Sequence, residues 1–263
     1  MKNKTNSLLM ALALSAATLV PVHAQTARQD VLATDSVSLN LQGSRAECKV
    51  FVEYPKIGGN PLSEAVGAYI NTVIGAQKEA GSESLTTRVG RYGITSFDDM
   101  TKEAELLARE VPSFSGQYYQ YLDIRKVYDD PKVVTFATTY SVYLGGAHPM
   151  SSYSGVTFTK ADGAKVGYDI FKDVEGKEFR AVVTDGLKKY FNVKTDKDLR
   201  NCLIDVDNVR KIPLPKSAPM FTEKGIELIY GQYEIAPYAA GMPTVVIPYE
   251  SAAPLLKKAA DLF

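Results

Sequence analysis

Between Tyr118 and Ile170 the chain reads as four short strands in succession: Tyr118–Val127, Lys132–Leu144, Tyr153–Thr159 and Lys165–Ile170. The breaks at Asp129-Asp130-Pro131 and Ala161-Asp162-Gly163 are turn signals, so the run predicts an antiparallel meander. Upstream, Val37–Gln42 and Ala46–Tyr54 alternate, and Cys48, Val50, Val52 and Tyr54 share one face as a half-buried strand requires. Asn60-Pro61 pairs a capping side chain with proline at the first helical position. Leu62, Val66, Tyr69, Ile70, Val73 and Ile74 then recur at helical spacing and predict a helix over 61–78. Polar residues from Gly81 to Gly93 read as loop, and a second helix starts near Phe97 with Ser96 as its cap.

Further helices are predicted over Glu178–Phe191, Lys197–Ile204 and Ala252–Leu262, and strands over Ile226–Tyr230 and Thr244–Pro248. Strands and helices come in clusters instead of strict alternation. The expected class is therefore α+β, an antiparallel β-meander packed with helices in two closely associated subdomains.

Residues 1–24 read as a secretory leader, with Lys2 and Lys4, an apolar run from Leu8 to Val20, and Val22-His23-Ala24 as the cleavage pattern. That run falls short of the ~20 residues a membrane helix needs, and no later stretch reaches it. The expectation is a periplasmic or secreted protein, cut after Ala24, with residues 25–36 as a flexible lead-in and no transmembrane span in the mature chain. Removing Lys2 and Lys4 with no acid lost leaves two more acids than bases, which argues against a nucleic-acid partner. Two cysteines remain, Cys48 and Cys202. In an oxidising compartment they can pair, closing a long loop worth roughly 5 kcal/mol in the chain-entropy model. Equally, they are free thiols buried in a strand and a helix.

After cleavage His148 is the only histidine, which rules out a zinc site built on paired histidines. A Ser-His-Asp hydrolase would need His148, yet no G-x-S-x-G elbow supplies its serine; Ser151 and Ser152 are merely near in sequence. The glycines before it, Gly145 and Gly146, serve either a close approach to a ligand or a tight strand-end turn, and the turn is the commoner use. Asp98-Asp99, Glu103, Glu105 and Asp129-Asp130 are better read as helix-start and turn chemistry than as a glycosidase carboxylate pair. No phosphate-binding loop or dinucleotide fingerprint is present, and no cofactor is expected. Sixteen tyrosines and no tryptophan leave two readings, an interface surface or ordinary cross-strand pairs. Alternation places Tyr119 and Tyr121 on one strand face and Tyr118 on the other.

Tyr143-Leu144-Gly145-Gly146-Ala147-His148-Pro149, followed by an aromatic strand and Asp169-Ile170-Phe171, resembles the extracytoplasmic domain of the RsiV anti-sigma factor family. The same domain accompanies the catalytic part of the peptidoglycan deacetylase PdaC. The stretch Tyr233-Glu234-Ile235-Ala236-Pro237-Tyr238-Ala239-Ala240-Gly241, running on to Val246-Ile247-Pro248-Tyr249, is similar to that family's closing motif. Val52-Glu53-Tyr54-Pro55-Lys56-Ile57-Gly58-Gly59 and the helix after it look like the PdaC-type partner domain. The resemblance implies an N-terminal subdomain over 37–128, an RsiV-like domain over 129–263, and a binding or sensing module of the cell envelope. Its ligand would be a protein, lysozyme in the RsiV branch, or cell-wall glycan. The chain lacks the deacetylase domain with its histidine ligands and any cytoplasmic sigma-binding segment, so neither deacetylation nor signalling carries over. Tyr143, Gly145, Gly146, His148, Tyr238 and Gly241 are the expected ligand-binding residues, with no catalytic or metal-binding residue assigned. The competing readings are an envelope hydrolase using His148 and a structural envelope protein.

Overall fold

The computed structural model describes residues 31–76, 83–113, 115–257 and 262. The expected leader and the first part of the lead-in lie outside the described residues. Strand β1 (Thr34–Gln42) pairs antiparallel with β2 (Ala46–Pro55), three residues earlier than the alternation predicts. The chain then crosses over through α1 (Pro61–Val73) and α2 (Leu85–Glu110), and β3 (Tyr118–Asp129) returns parallel to β2. β4 (Val133–Tyr143) and β5 (Met150–Thr159) complete a five-stranded sheet in sequence order, each antiparallel to its predecessor. The β3–β4 turn is closed by Asp130, whose carboxylate accepts from the backbone N–H of Lys132 and of Val133, both at 2.7 Å. The division expected at 128/129 passes through this hairpin.

Asn60 caps α1 by accepting from the Ser63 N–H at 2.9 Å, while the Ser63 hydroxyl reaches back to the Asn60 N–H. Val66 and Ile70 of α1 and Val89, Met100 and Ala104 of α2 are buried in one core with Val50, Val52, Leu122 and Ile124. The helices thus cover one face of the sheet and leave Tyr119, Tyr121, Asp123 and Arg125 of β3 on the other.

The second unit contains α3 (Lys177–Phe191), α4 (Asp196–Cys202), β6 (Met220–Thr222), β7 (Gly225–Ile229), β8 (Thr244–Ile247) and α5 (Tyr249–Ala252). β6, β7 and β8 form an antiparallel sheet. Helix α3 lies so close to β8 that a Cβ on Gly186 would come within 2.5 Å of Val245 Cγ1. Phe179, Val183, Leu187, Leu228, Tyr230 and Val245 form its core. The units join where β6 meets β5: the Phe221 N–H donates to Thr157 Oγ1 at 3.0 Å, and Ala137, Met220 and Ile229 pack together. Among the described residues no helix is long and apolar enough to cross a membrane.

The fold is α+β, with a mixed sheet in place of an all-antiparallel one, because β2 and β3 are joined by a helical crossover. The 81–93 stretch is corrected to helix from Leu85 onward: Ser84 caps it by accepting from the Thr87 N–H, and Ser96 lies inside it. Its inward stripe includes Arg88, bonded to Asn71 Oδ1 at 3.0 Å, and Gly93, neither of which marks an apolar period. The expected strand Lys165–Ile170 reduces to one bridge, Phe158 to Lys165, and a 3-10 turn over Tyr168–Ile170. The closing helix begins earlier, at Tyr249, and passes into a 3-10 turn at Ala253–Leu255 containing Pro254, after which Leu256 bridges to Phe171. Cys48 and Cys202 are free thiols: Cys48 is sealed in β2, and Cys202 donates to Asp198 O at 3.4 Å.

Candidate functional site

Strand β4 ends at Tyr143, and the chain turns through Leu144–Pro149 before β5 begins. Gly145 has φ +78°, and a Cβ there would lie 3.0 Å from the Tyr118 ring and 3.2 Å from Leu107 Cδ2. Both the conformation and the space demand glycine. Gly146 faces open space and carries no such demand.

The turn places His148 on the surface, where its ring stacks on Tyr238 with centroids 3.9 Å apart and planes at 26°. Tyr238 opens a 3-10 turn, Tyr238–Ala240, and its hydroxyl donates to Pro149 O at 2.7 Å. The same carbonyl lies 3.1 Å from His148 Nδ1. A carbonyl only accepts, so in this contact Nδ1–H is the donor.

Tyr233 adds a third ring, tilted by 34° and 5.8 Å from that of Tyr238. Its φ of +63° is unusual for so bulky a residue. The turn is locked by Glu234, whose carboxylate accepts from the Gly231 and Lys216 N–H groups at 2.7 Å, while Ile235 and Ala236 are buried. Tyr233 is left half exposed, at 50%. The loop is tied to β5 by the Ser151 N–H donating to Gln232 Oε1 at 3.2 Å and by Tyr153 N lying 3.2 Å from Met242 Sδ. Gly241, at φ +71°, follows Ala240, whose carbonyl accepts from the Tyr190 hydroxyl at 2.7 Å. Leu144 and Met150, 48% and 43% exposed, flank the turn in sequence.

The structure therefore brings His148 and Tyr238 into contact, uses Gly145 to shape the turn, and sets Gly241 beside Tyr190. Tyr143 belongs elsewhere: its ring lies 5.9 Å from Tyr119 on the open face of the sheet. Tyr233 was not among the expected site residues. It opens the closing motif, but nothing in a sequence marks a tyrosine as left-handed.

Among the described residues the hydrogen-bond partner of the His148 ring is the Pro149 carbonyl, while the Ser151 hydroxyl pairs with that of Ser141 at 3.1 Å. Asp98 and Asp99 lie within α2 instead of at its start, with Asp99 near Lys102. The Asp129 carboxylate pairs with Lys126 at 2.8 Å and with Lys160, and accepts from the Leu32 N–H. Asp129 thus ties β3 to the residue after β5 and to the segment before β1.

Residues 42–151 match the family described as deacetylase PdaC, and residues 168–250 match the protein family of unknown function DUF3298. The chain carries a PdaC-type region followed by a DUF3298 region. The His148 turn lies in the first and the Tyr233–Gly241 loop in the second, so the stacked rings sit where the two matched regions meet. A DUF3298 family structure from Bacteroides fragilis is similar at TM-score 0.70 and 20% identity, covering 86% of this chain and 94% of its own. Another, from Pseudomonas aeruginosa, is similar at TM-score 0.58 and 13% identity, covering 87% and 96%. No curated protein matches the chain.

Proposed function

We propose that this chain is an exported, non-enzymatic binding module of the cell envelope, released from its leader after Ala24, whose ligand is a protein. The observation that carries the reading is the surface cluster of His148, half-buried Tyr238 and Tyr233, with Leu144 and Met150 exposed at the two ends of the adjoining turn. Aromatic residues and methionine are enriched in protein interfaces, where charged residues are depleted from the core, and none of these five side chains is an acid, lysine or arginine. Rings already stacked and tied to Pro149 lose little freedom on docking, so their contact area converts efficiently into affinity. The resemblance to the RsiV family makes a lysozyme-like muramidase the first candidate. Deacetylase activity belongs to the protein named in the PdaC match and is not part of this proposal.

The test is calorimetric titration of lysozyme into the mature protein, its His148→Ala variant and its Tyr238→Ala variant. Saturable binding weakened by both substitutions supports the proposal. A hydrolytic activity of the purified protein lost on His148→Ala, with the fold intact, would replace it with catalysis.

A further inference from the structure

The face of the five-stranded sheet that the helices leave bare carries a trough across β1, β2 and β3, with a volume of about 550 Å³. Asn40, Lys49, Phe51, Tyr121, Asp123 and Arg125 line it. That volume lies within the roughly 300–1,000 Å³ typical of small-ligand clefts. We propose that this trough binds an uncharged oligosaccharide, independently of the His148–Tyr238 corner.

Three observations select that ligand. The charges in the trough neutralise one another: Lys49 pairs with Glu47 at 2.6 Å, and Arg125 pairs with Asp123 at 2.7 Å. Lys49 and Tyr121 together hold the Glu47 carboxyl below its ordinary range, so it stays ionised beside its partners. A phosphate-rich ligand would find no surplus positive charge here.

Lys49, Asp123 and the neighbouring Glu47 count against a protein occupant, because lysine and the acids are depleted from the core of protein interfaces. What the trough does offer is a dense set of planar polar groups. A carboxylate, a guanidinium and an amide, supplied by Asp123, Arg125 and Asn40, suit the paired hydroxyls of a sugar ring. Among the described residues the Asn40 side chain makes no hydrogen bond of its own, and residue 40 is exposed.

The aromatic walls are fixed in advance. Tyr121 is stacked on Tyr119 with centroids 4.8 Å apart, has Lys49 Nζ 4.9 Å from its centroid, and donates its hydroxyl to Glu47. Phe51 lies under the Arg125 guanidinium at 4.0 Å. Held between these partners, the rings form a rigid floor that presents the polar groups above them without an ordering cost.

The experiment is an NMR titration of the mature protein with neutral tetrasaccharides of β-1,4-linked N-acetylglucosamine, β-1,4-linked glucose and α-1,4-linked glucose, with a heparin fragment as the charged comparison. Saturable shifts on β1, β2 and β3 are expected with at least one neutral sugar. At exposed positions both, Arg125→Ala should weaken binding by about tenfold or more, the usual loss of hydrogen bonds to a charged group, and Asn40→Ala by about threefold or more, the usual loss of a neutral one. His148→Ala and Tyr238→Ala should leave it unchanged, which separates this site from the protein-binding corner. The proposal is overturned by no saturable binding of any neutral sugar, by binding insensitive to Asn40→Ala and Arg125→Ala, or by preference for heparin. It is equally overturned if those two substitutions weaken lysozyme binding instead, since the trough would then serve a protein.

Discussion

The rings of His148 and Tyr238 lie 3.9 Å apart, and the Tyr238 hydroxyl is bonded to Pro149, the residue that follows that histidine. One tyrosine therefore holds both the side chain and the backbone of the β4–β5 turn, and fixes the closing loop of the second unit on the first.

Because the hydroxyl and the ring act separately, they can be separated by mutation. Tyr238→Phe should cost about 1 kcal/mol of unfolding free energy, the net worth of one hydrogen bond, while keeping the stack. Tyr238→Ala should cost more and broaden the NMR signals of residues 144–149. Equal stability of the Phe and Ala variants would show that the ring contributes nothing.

Neighbouring glycines in the turn should behave differently. Gly145→Ala meets both a left-handed backbone and the Tyr118 ring, and should lower stability by about 1–3 kcal/mol. Gly146→Ala meets open space and should change it little. Urea midpoints at an unchanged m-value give the comparison.

Tyr233 stands in a conformation that costs a bulky residue stability. Tyr233→Gly should leave the melting temperature unchanged or raise it, yet weaken protein binding. A variant that melts lower and binds normally would make Tyr233 a folding residue.

Burial pushes the Cys48 thiol up to about 11 from an ordinary 9.0. Its folded value is raised, so its contribution to stability is complete below pH 9.0 and is lost as pH rises through about 11. The protein should therefore lose stability in that alkaline window, less so as Cys48→Ala at matched ionic strength. Native iodoacetamide labelling at pH 8 should modify Cys202 alone, with Cys48 reacting after denaturation. A mass lower by two hydrogens, from a closed disulfide, would contradict the free-thiol structure.

Much of this architecture is legible in the chain. β2 and β3 alternate, and α1 announces itself through Asn60-Pro61 and a full apolar stripe. The start of α2 is not legible, because Arg88 and Gly93 occupy inward positions that periodicity assigns to apolar residues. Nor is the parallel pairing of β2 with β3, since strand partnership across two helices depends on packing far from either strand. The three residues of β6 are too few to show a period. At the site, the glycine-broken stretches mark both loops, and the structure shows that His148 and Tyr238 meet between them. The outward cast of Tyr233 depends on Glu234 bonding two backbone groups, which no local pattern displays.

The most direct measurement is calorimetry of lysozyme binding to the mature protein beside its His148→Ala and Tyr238→Ala variants, each first shown to be folded. The account predicts saturable one-to-one binding to the unmodified protein, weakened by about tenfold or more in both variants, as expected for residues at the centre of an interface. No binding heat, or equal affinity in all three proteins, would contradict it.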